Sequence, residues 1–350
     1  MEQKSVLIGM SGGVDSSVAA ALLKEQGYHV IGATMRLWTY SDSCNMKHEG
    51  CCAESAVEDA RRVCDKLGID FYVMNFKDMF KDKVVDYFVD EYIHGRTPNP
   101  CIACNKYLKF DALLKKALAM GIDYVATGHY AKIEKGEDGK YILRASEAVK
   151  KDQSYVLYNF TQEQLAHTLM PLGGYNKDWV RQKAEELGLG VAHKPDSQEI
   201  CFVEDDDYAK FITDYSGYKP KEGDILDVNG NVIGKHRGLI YYTIGQRKGI
   251  GAYGRPMFVM KIDAENNTIT LGEKGMEFSN ELTAYDVNFV SGEFPKKNML
   301  ITAKVRYQAP PAAAMLCPQK DGTVKLMFPE PQRAVTPGQA VVFYDGDIVL

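Results

Sequence analysis

The stretch Val6-Leu7-Ile8-Gly9-Met10-Ser11-Gly12-Gly13-Val14-Asp15-Ser16-Ser17 decides how the rest of the chain is read. Val6 to Ile8 is an apolar run of the kind that forms a buried strand. A Ser-Gly-Gly loop follows, and from Ser16 to Gln26 the apolar residues Val18, Leu22 and Leu23 share one helical face. A strand that passes through a glycine loop into a helix leaves backbone N–H groups unpaired at the helix N-terminus. Those groups and the helix dipole hold anionic oxygens. Gly12 and Gly13 let the backbone come close and accept positive φ, and Ser11, Ser16 and Ser17 add hydroxyl donors. No Gly-Lys-Ser/Thr ends the loop, so it is not a Walker loop. Nor does it have the Gly-x-Gly-x-x-Gly spacing of a dinucleotide fingerprint.

Downstream, strands and helices alternate to about Asp207. Val30–Met35, Phe71–Asn75 and Tyr124–Thr127 read as strands, and Cys52–Leu67, Met79–Tyr92 and Leu108–Met120 as helices. Such alternation builds βαβ units and a parallel sheet, whose ligands sit at the carboxyl ends of the strands. The first loop, the loop after Met35 and Thr127-Gly128-His129 are expected on that edge. The polar, cysteine-bearing stretch from Trp38 to Gly50 reads as a loop near the ligand. Tyr130–Leu143, with Gly-Glu-Asp-Gly at its centre, reads as a β-hairpin.

After Asp207 the pattern changes to alternating strands with turns at Asp227-Val-Asn-Gly-Asn and Asp263-Ala-Glu-Asn-Asn. The expected fold is therefore α/β. A Rossmann-like parallel sheet with the glycine loop spans 1–207, a central β-rich domain 208–276, and a barrel-like β domain 277–350.

With 45% hydrophobic and 25% charged residues the 350-residue chain can bury sizeable cores. Its 42 basic and 47 acidic residues give −5, so any nucleic-acid footprint is a local patch. The start, Met-Glu-Gln-Lys, runs at once into a strand, which predicts no targeting leader. No apolar run reaches the ~18 residues of a membrane span. A cytoplasmic location follows as the expectation, and there the eight cysteines are thiols, metal ligands or redox centres rather than structural bridges.

Two cysteine stretches carry chemistry. In Thr97-Pro98-Asn99-Pro100-Cys101-Ile102-Ala103-Cys104-Asn105-Lys106 the two prolines argue against helix, placing both cysteines on a rigid loop before a helix near Lys109. Cys104 would then lie near that helix's N-terminus, where a thiol pKa falls. The Cys-x-x-Cys spacing is open to three readings: a redox dithiol, half of a metal site, or chance. No second Cys-x-x-Cys exists to complete a zinc site, and adjacent Cys51-Cys52 is poorly spaced for one. In Asp196-Ser197-Gln198-Glu199-Ile200-Cys201-Phe202 a lone cysteine sits in a charged loop, either buried or as an accessible thiol.

Ser-Gly-Gly-Val-Asp-Ser resembles the pyrophosphate loop of the ATP pyrophosphatases. Asn-Pro-x-x-x-Cys-Asn-Lys, Ala-Thr-Gly-His-Tyr, Lys-Asp-Gln-Ser-Tyr, Ser-Gln-Glu-Ile-Cys-Phe, Tyr-Thr-Ile-Gly-Gln-Arg and Val-Arg-Tyr follow it in that order. The ordered set, from Val6 to the region of Gln339, resembles the tRNA-specific 2-thiouridylases of the MnmA type. That resemblance implies sulfur transfer to C2 of the wobble uridine, position 34, of tRNAs for Lys, Glu and Gln. ATP would adenylate the 2-oxygen, with Mg2+ as its metal. A persulfide on Cys201 would supply sulfur, delivered by a persulfide-carrying donor protein, and Cys104 would act as nucleophile, leaving a Cys104–Cys201 disulfide. Gly9, Met10, Ser11, Gly12, Gly13, Val14, Asp15 and Ser16 would hold ATP, with Met35 and Gly128 at adenine and ribose. Asn99, Pro100, Cys101, His129, Lys151, Asp152, Gln153, Arg306, Tyr307 and Gln339 match tRNA-contacting positions.

Many members of that family carry Asp, a candidate general base, where this chain has Cys101. The change adds a third thiol and opens an alternative, a [4Fe–4S] cluster on Cys101, Cys104 and Cys201. Tyr307 beside Arg306, or His129 beside Tyr130, could stack on and hydrogen-bond an unstacked base. Lys235-His236-Arg237 and Arg247-Lys248 could track phosphates or simply be solvated strand ends. The competing functions are another ATP-adenylating ligase, which needs no cysteine pair, and a non-catalytic RNA-binding protein, against which the intact Asp15 and serines argue.

Overall fold

The computed structural model describes residues 3–38, 54–196, 200–203 and 206–350. Cys44, Cys51, Cys52, Ser197, Gln198, Glu199 and most of the expected loop after Trp38 lie outside the described residues.

β1 (Ser5–Gly9), β2 (His29–Arg36), β3 (Asp70–Asn75), β4 (Tyr124–Ala126) and, after a hairpin of β5 (Ala131–Lys135) and β6 (Tyr141–Ala145), β7 (Thr168–Leu169) contain the first sheet. Its order is β3-β2-β1-β4-β7 and every pair is parallel. The chain leaves β1 for β2 on one side and returns to β4 on the other, so the topological switch point lies between β1 and β4. The alternation of β1 explains why both faces are covered. Leu7 packs with Ala33 and Val125 under the helical segments of 77–93 and 100–119, while Val6 and Ile8 pack with Val30 and Ala126 under helices Val14–Glu25, Glu54–Leu67 and Lys177–Glu186.

The expected α/β class is borne out, with two β-rich parts after the parallel sheet. A four-stranded sheet, order β10-β11-β8-β9, is built from β8 (Gly223–Leu226), β9 (Val232–His236), β10 (Met257–Asp263) and β11 (Thr268–Glu273). Helix Tyr208–Ser216, which the sequence reading passed over, precedes it and packs Ala209 and Ile212 into the core of the first sheet. The remaining strands are β12 (Phe278–Ala284), β13 (Met299–Lys304), β14 (Ala312–Pro318), β15 (Val324–Arg333), β16 (Val342–Asp345) and β17 (Ile348–Val349). They form an eight-stranded sheet, order β12-β15-β14-β13-β16-β17-β6-β5. The last two members are the expected hairpin. Ala145 N–H donates to Asp347 O at 2.7 Å and Arg144 Nη1 reaches Asp347 Oδ1 at 2.8 Å. The turn after β4 is thereby tied to the C-terminal sheet.

Candidate active site

The glycine loop sits at the switch point. Gly12 has φ +70, and a Cβ there would lie 2.3 Å from the Ala56 carbonyl oxygen, so only glycine fits. Gly13 caps helix Val14–Glu25 in an extended conformation. Ser16 Oγ accepts from the Ser11 N–H and bonds the Gly13 carbonyl, both at 3.2 Å, while Ser17 Oγ donates to the same carbonyl at 2.8 Å. Two of the three serines therefore brace the loop from inside, and Ser11 is exposed. Met10 closes the base, its carbonyl accepting from Thr34 Oγ1 at 2.8 Å. From the other side Gly128 presses on the loop: a Cβ there would lie 2.7 Å from Asp15 C and Ser16 N. Met35 sits near the carboxyl end of β2, paired with Met74 of β3.

Charge converges on this loop. Asp15 accepts from Tyr130 Oη at 2.7 Å and from Lys177 Nζ at 2.8 and 2.9 Å. Lys177, nearly buried, also pairs with Asp196 at 2.7 Å. Lys151 and Arg181 reach the same Asp196 at 2.7 and 3.2 Å. Burial alone would raise the Asp196 carboxyl, but Lys151 and Lys177 outweigh it and hold it below the ordinary range. Lys194 bonds the Gly12 carbonyl at 3.2 Å and Asp59 at 2.9 Å.

The cysteine stretch departs from expectation. Helix begins at Pro100 and continues through a π-helical segment, Cys104–Ala112, to Ala119. Pro100 does not prevent it, because the first turn needs no N–H from that position. Asn99 caps it by accepting from Cys101 N at 3.1 Å. So both cysteines are helical, and Cys101, not Cys104, occupies the first turn. Cys101 is exposed and Cys104 is buried. Cys104 belongs to the same core cluster against which Cys201 packs. Next to Cys201, Phe202 is buried among Phe80, Phe88 and Phe211, ring centroids 5.2 to 5.7 Å away, which anchors that end of the segment. π-helical segments such as the one opening at Cys104 are rare and frequent at functional sites.

The expected tRNA positions divide into those that face outward and those that hold the scaffold. Tyr307 is exposed, its ring edge-on to Tyr155 at 5.7 Å. Burial first, then Asp152 and Cys101, push its phenol up, and its hydroxyl lies 3.5 Å from the Asp152 carbonyl oxygen. Lys304 Nζ lies 5.8 Å from both tyrosine ring centres. Arg306 Nη2 donates to Arg333 O at 2.8 Å. Asp152 accepts from Ser146 N at 3.0 Å and Ser154 Oγ at 2.8 Å. Gln153 Oε1 accepts from Tyr130 N at 3.0 Å, and Gln339 Nε2 donates to Thr97 O at 2.6 Å, just before the cysteine helix. His129 is buried, its Nδ1 2.7 Å from Thr127 Oγ1. Tyr130 is only 2% exposed with its hydroxyl on Asp15, so the expected stacking role for it is corrected to a brace. Lys235 pairs with Asp224 at 2.6 Å and His236 is buried, while Lys235 and Arg237 themselves are exposed. Arg247 and Lys248 stay exposed.

Residues 4–205 match the family model described as tRNA methyl transferase HUP domain. Residues 209–273 match the tRNA methyl transferase PRC-barrel domain, and 279–350 the aminomethyltransferase beta-barrel domain. The tRNA-specific 2-thiouridylase MnmA of Acetivibrio thermocellus is 59% identical over 100% of this chain and 98% of its own length. That of Clostridioides difficile is 58% identical over 99% and 96%. The chain belongs to the MnmA family. A solved 4-thiouridine synthetase–RNA complex with bound ATP is far more distant, 18% identical over 57% of this chain and 45% of its own, with TM-score 0.37.

In this MnmA-family chain the sequence reading missed Lys177, Arg181 and Lys194, which carry no motif of their own. The one signal available was their position. Lys177 and Arg181 are one turn apart on a helix that follows β7 toward the switch-point edge. Among the described residues no group of three or more His, Cys, Asp or Glu could hold a metal ion. The three cysteines of the cluster alternative are thus not gathered as a ligand set there. No helix among the described residues is long and apolar enough to cross a membrane.

Proposed function

We propose that this chain catalyses ATP-dependent thiolation of a tRNA uridine at C2, acting on the wobble position 34 of tRNAs for Lys, Glu and Gln. Two of the matching family models are described by tRNA methyl transfer and the relatives by 2-thiouridylation. The relatives carry more weight, since they match the whole chain at 58 to 59% identity. The observation that carries the reading is the packing of Cys104 and Cys201 into one cluster under the sheet whose switch point holds the Ser11–Ser17 loop. An adenylating ligase that joins nitrogen to carbon has no use for such a pair.

The chemistry divides in two. The uracil 2-oxygen attacks the α-phosphorus of ATP, and the bond to the β-phosphate breaks with its electron pair leaving on pyrophosphate. Backbone N–H groups of the loop and the helix dipole offset that charge. Mg2+ is held by one or two carboxylates together with substrate phosphates, and Asp15, whose oxygens accept from Lys177 and Tyr130 here, is the acid of the loop that would hold it once those bonds give way. The Cys104 thiolate then attacks Cys201 Sγ. The Cys201 persulfide bond breaks, the outer sulfur leaves as hydrosulfide, and this displaces AMP from C2. The Cys104–Cys201 disulfide that remains takes two electrons and two protons from an external dithiol reductant, which is oxidised to its own disulfide, before a persulfide-carrying donor protein reloads Cys201. Tyr307, exposed and edge-on to Tyr155, offers a stacking face to the extruded base.

The domain reading 1–207, 208–276 and 277–350 accompanies this proposal, with the last two domains holding the RNA, and the absence of a long apolar helix is compatible with action in the cytoplasm. The test is pyrophosphate release with and without tRNA, together with mass spectrometry of nucleosides from the product tRNA. Release that depends on tRNA and yields 2-thiouridine is the expected result. Release without any sulfur in the tRNA would point instead to an adenylating ligase.

A further inference from the structure

Lys177 bonds both oxygens of Asp15 at 2.8 and 2.9 Å and Asp196 at 2.7 Å, with its side chain only 11% exposed. Lys151 and Arg181 close on that same Asp196 at 2.7 and 3.2 Å. Three cations thus share two carboxylates at the edge of a loop built to receive phosphate oxygens. The surplus is positive, which is unusual to hold beside a helix N-terminus unless an anion is due there. Arg181 is further pinned by bonds to Ala192 O at 3.2 Å and Lys194 O at 3.4 Å, so its guanidinium is preorganised rather than free to leave with solvent.

We propose that Asp196 is a carboxylate placeholder for polyphosphate: it holds Lys177 and Arg181 at the loop, and pyrophosphate oxygens take these cations from it. The inference rests on the reading of Ser11–Ser17 as an ATP loop and adds ligands to it. In the adenylation step, Lys177 and Arg181 then meet the negative charge that develops on the departing pyrophosphate. When pyrophosphate leaves, Asp196 recaptures them, which keeps the product from being held too tightly. A second consequence is competition. Whatever strengthens the Asp196 contacts weakens polyphosphate binding, and the reverse.

Competition gives neighbouring substitutions opposite signs, which a merely structural network does not. The test is equilibrium dialysis of inorganic pyrophosphate against the full-length protein, with AMP, which lacks the β- and γ-phosphates, as control. Lys177→Gln is expected to weaken pyrophosphate about tenfold or more, the scale of one lost charge-assisted contact. Lys177→Arg restores most of it, and Arg181→Gln weakens it less. Asp196→Asn is expected to tighten pyrophosphate by roughly threefold or more. AMP binding stays the same throughout. Weaker or unchanged pyrophosphate binding by Asp196→Asn overturns the proposal, as does a loss of AMP equal to the loss of pyrophosphate in Lys177→Gln and Arg181→Gln. If the unsubstituted protein binds neither ligand, the ATP reading itself falls, and the placeholder with it.

Discussion

The Tyr130 hydroxyl donates to Asp15 Oδ1 across 2.7 Å, which fastens the first loop of the sheet to the turn after β4. Asp15 is the only acid of that loop, and its carboxylate also accepts from Lys177. Asp15→Ala is expected to abolish tRNA-dependent pyrophosphate release while the far-UV circular dichroism stays native, because no core packing is lost. Tyr130→Phe keeps the buried ring and removes one hydrogen bond of about 1 kcal/mol, so release should slow by about five- to tenfold. Full release by a folded Asp15→Ala protein would show that the loop is not the nucleotide site.

Gly128 makes a steric prediction. A methyl group at that position would lie 2.7 Å from Asp15 C and Ser16 N, inside contact distance of backbone that cannot rotate away. Gly128→Ala must therefore push the glycine loop. The expected outcome is a fall in ATP affinity of at least about tenfold with a stability cost of about 1–3 kcal/mol, the usual range for overpacking. Unchanged ATP affinity, measured by calorimetry, would mean that the two loops separate when nucleotide binds.

The parallel sheet was legible because its strands are continuous apolar runs with glycine or polar punctuation, and periodicity records burial directly. The joining of the β5–β6 hairpin to the C-terminal sheet was not, since the contact rests on a few bonds around Arg144 and Asp347, 203 positions apart. The cysteine helix was misread for a local reason. Pro100 breaks a helix anywhere but its first turn, and only the Asn99 cap tells that this is the first turn. Cys104, Cys201 and the glycine loop were found through motif order, while Lys177 and Arg181 were invisible to it. A cation's role depends on which carboxylate it meets, and that is decided by the fold.

RNA binding should rest on a local surface, given the net charge of −5. Arg306→Ala is expected to weaken tRNA binding about threefold to tenfold and to flatten its dependence on salt, as loss of a phosphate contact does. Lys151→Ala should do less, because Lys151 already pairs with Asp196 at 2.7 Å and its charge is partly spent. Filter binding between low and physiological salt checks both. Equal loss in the two variants would show that Lys151 leaves Asp196 when RNA arrives.

His129 supplies a pH prediction. Burial first, then the nearby charge of Lys109, hold its imidazole well below the ordinary 6.5. The folded protein thus keeps His129 neutral, while the unfolded chain takes up a proton below about 6.5. Stability from this group is complete above that pH and is lost as pH falls toward the folded value, by up to ~1.4 kcal/mol per pH unit. Urea melts at pH 5.5 and 7.5 should show the difference, and His129→Gln should show less of it. An equal difference in the variant would place the effect elsewhere.

The cysteines give the most decisive separation. Adenylation needs no sulfur, so Cys104→Ser and Cys201→Ser proteins are expected to release pyrophosphate in a single turnover with tRNA and yet form no 2-thiouridine. Cys104 is buried in the core cluster against which Cys201 packs, and serine is close in size to cysteine, so both variants should remain folded. Cys101 differs. It is exposed in the first helical turn, outside the buried cluster that holds Cys104. Cys101→Ser should therefore keep partial thiolation. Protein freed of iron and loaded with persulfide should thiolate at the same rate as protein reconstituted with iron. Thiolation by Cys201→Ser would refute the persulfide route, and loss of all activity in Cys101→Ser together with a requirement for iron would return the three thiolates to a cluster.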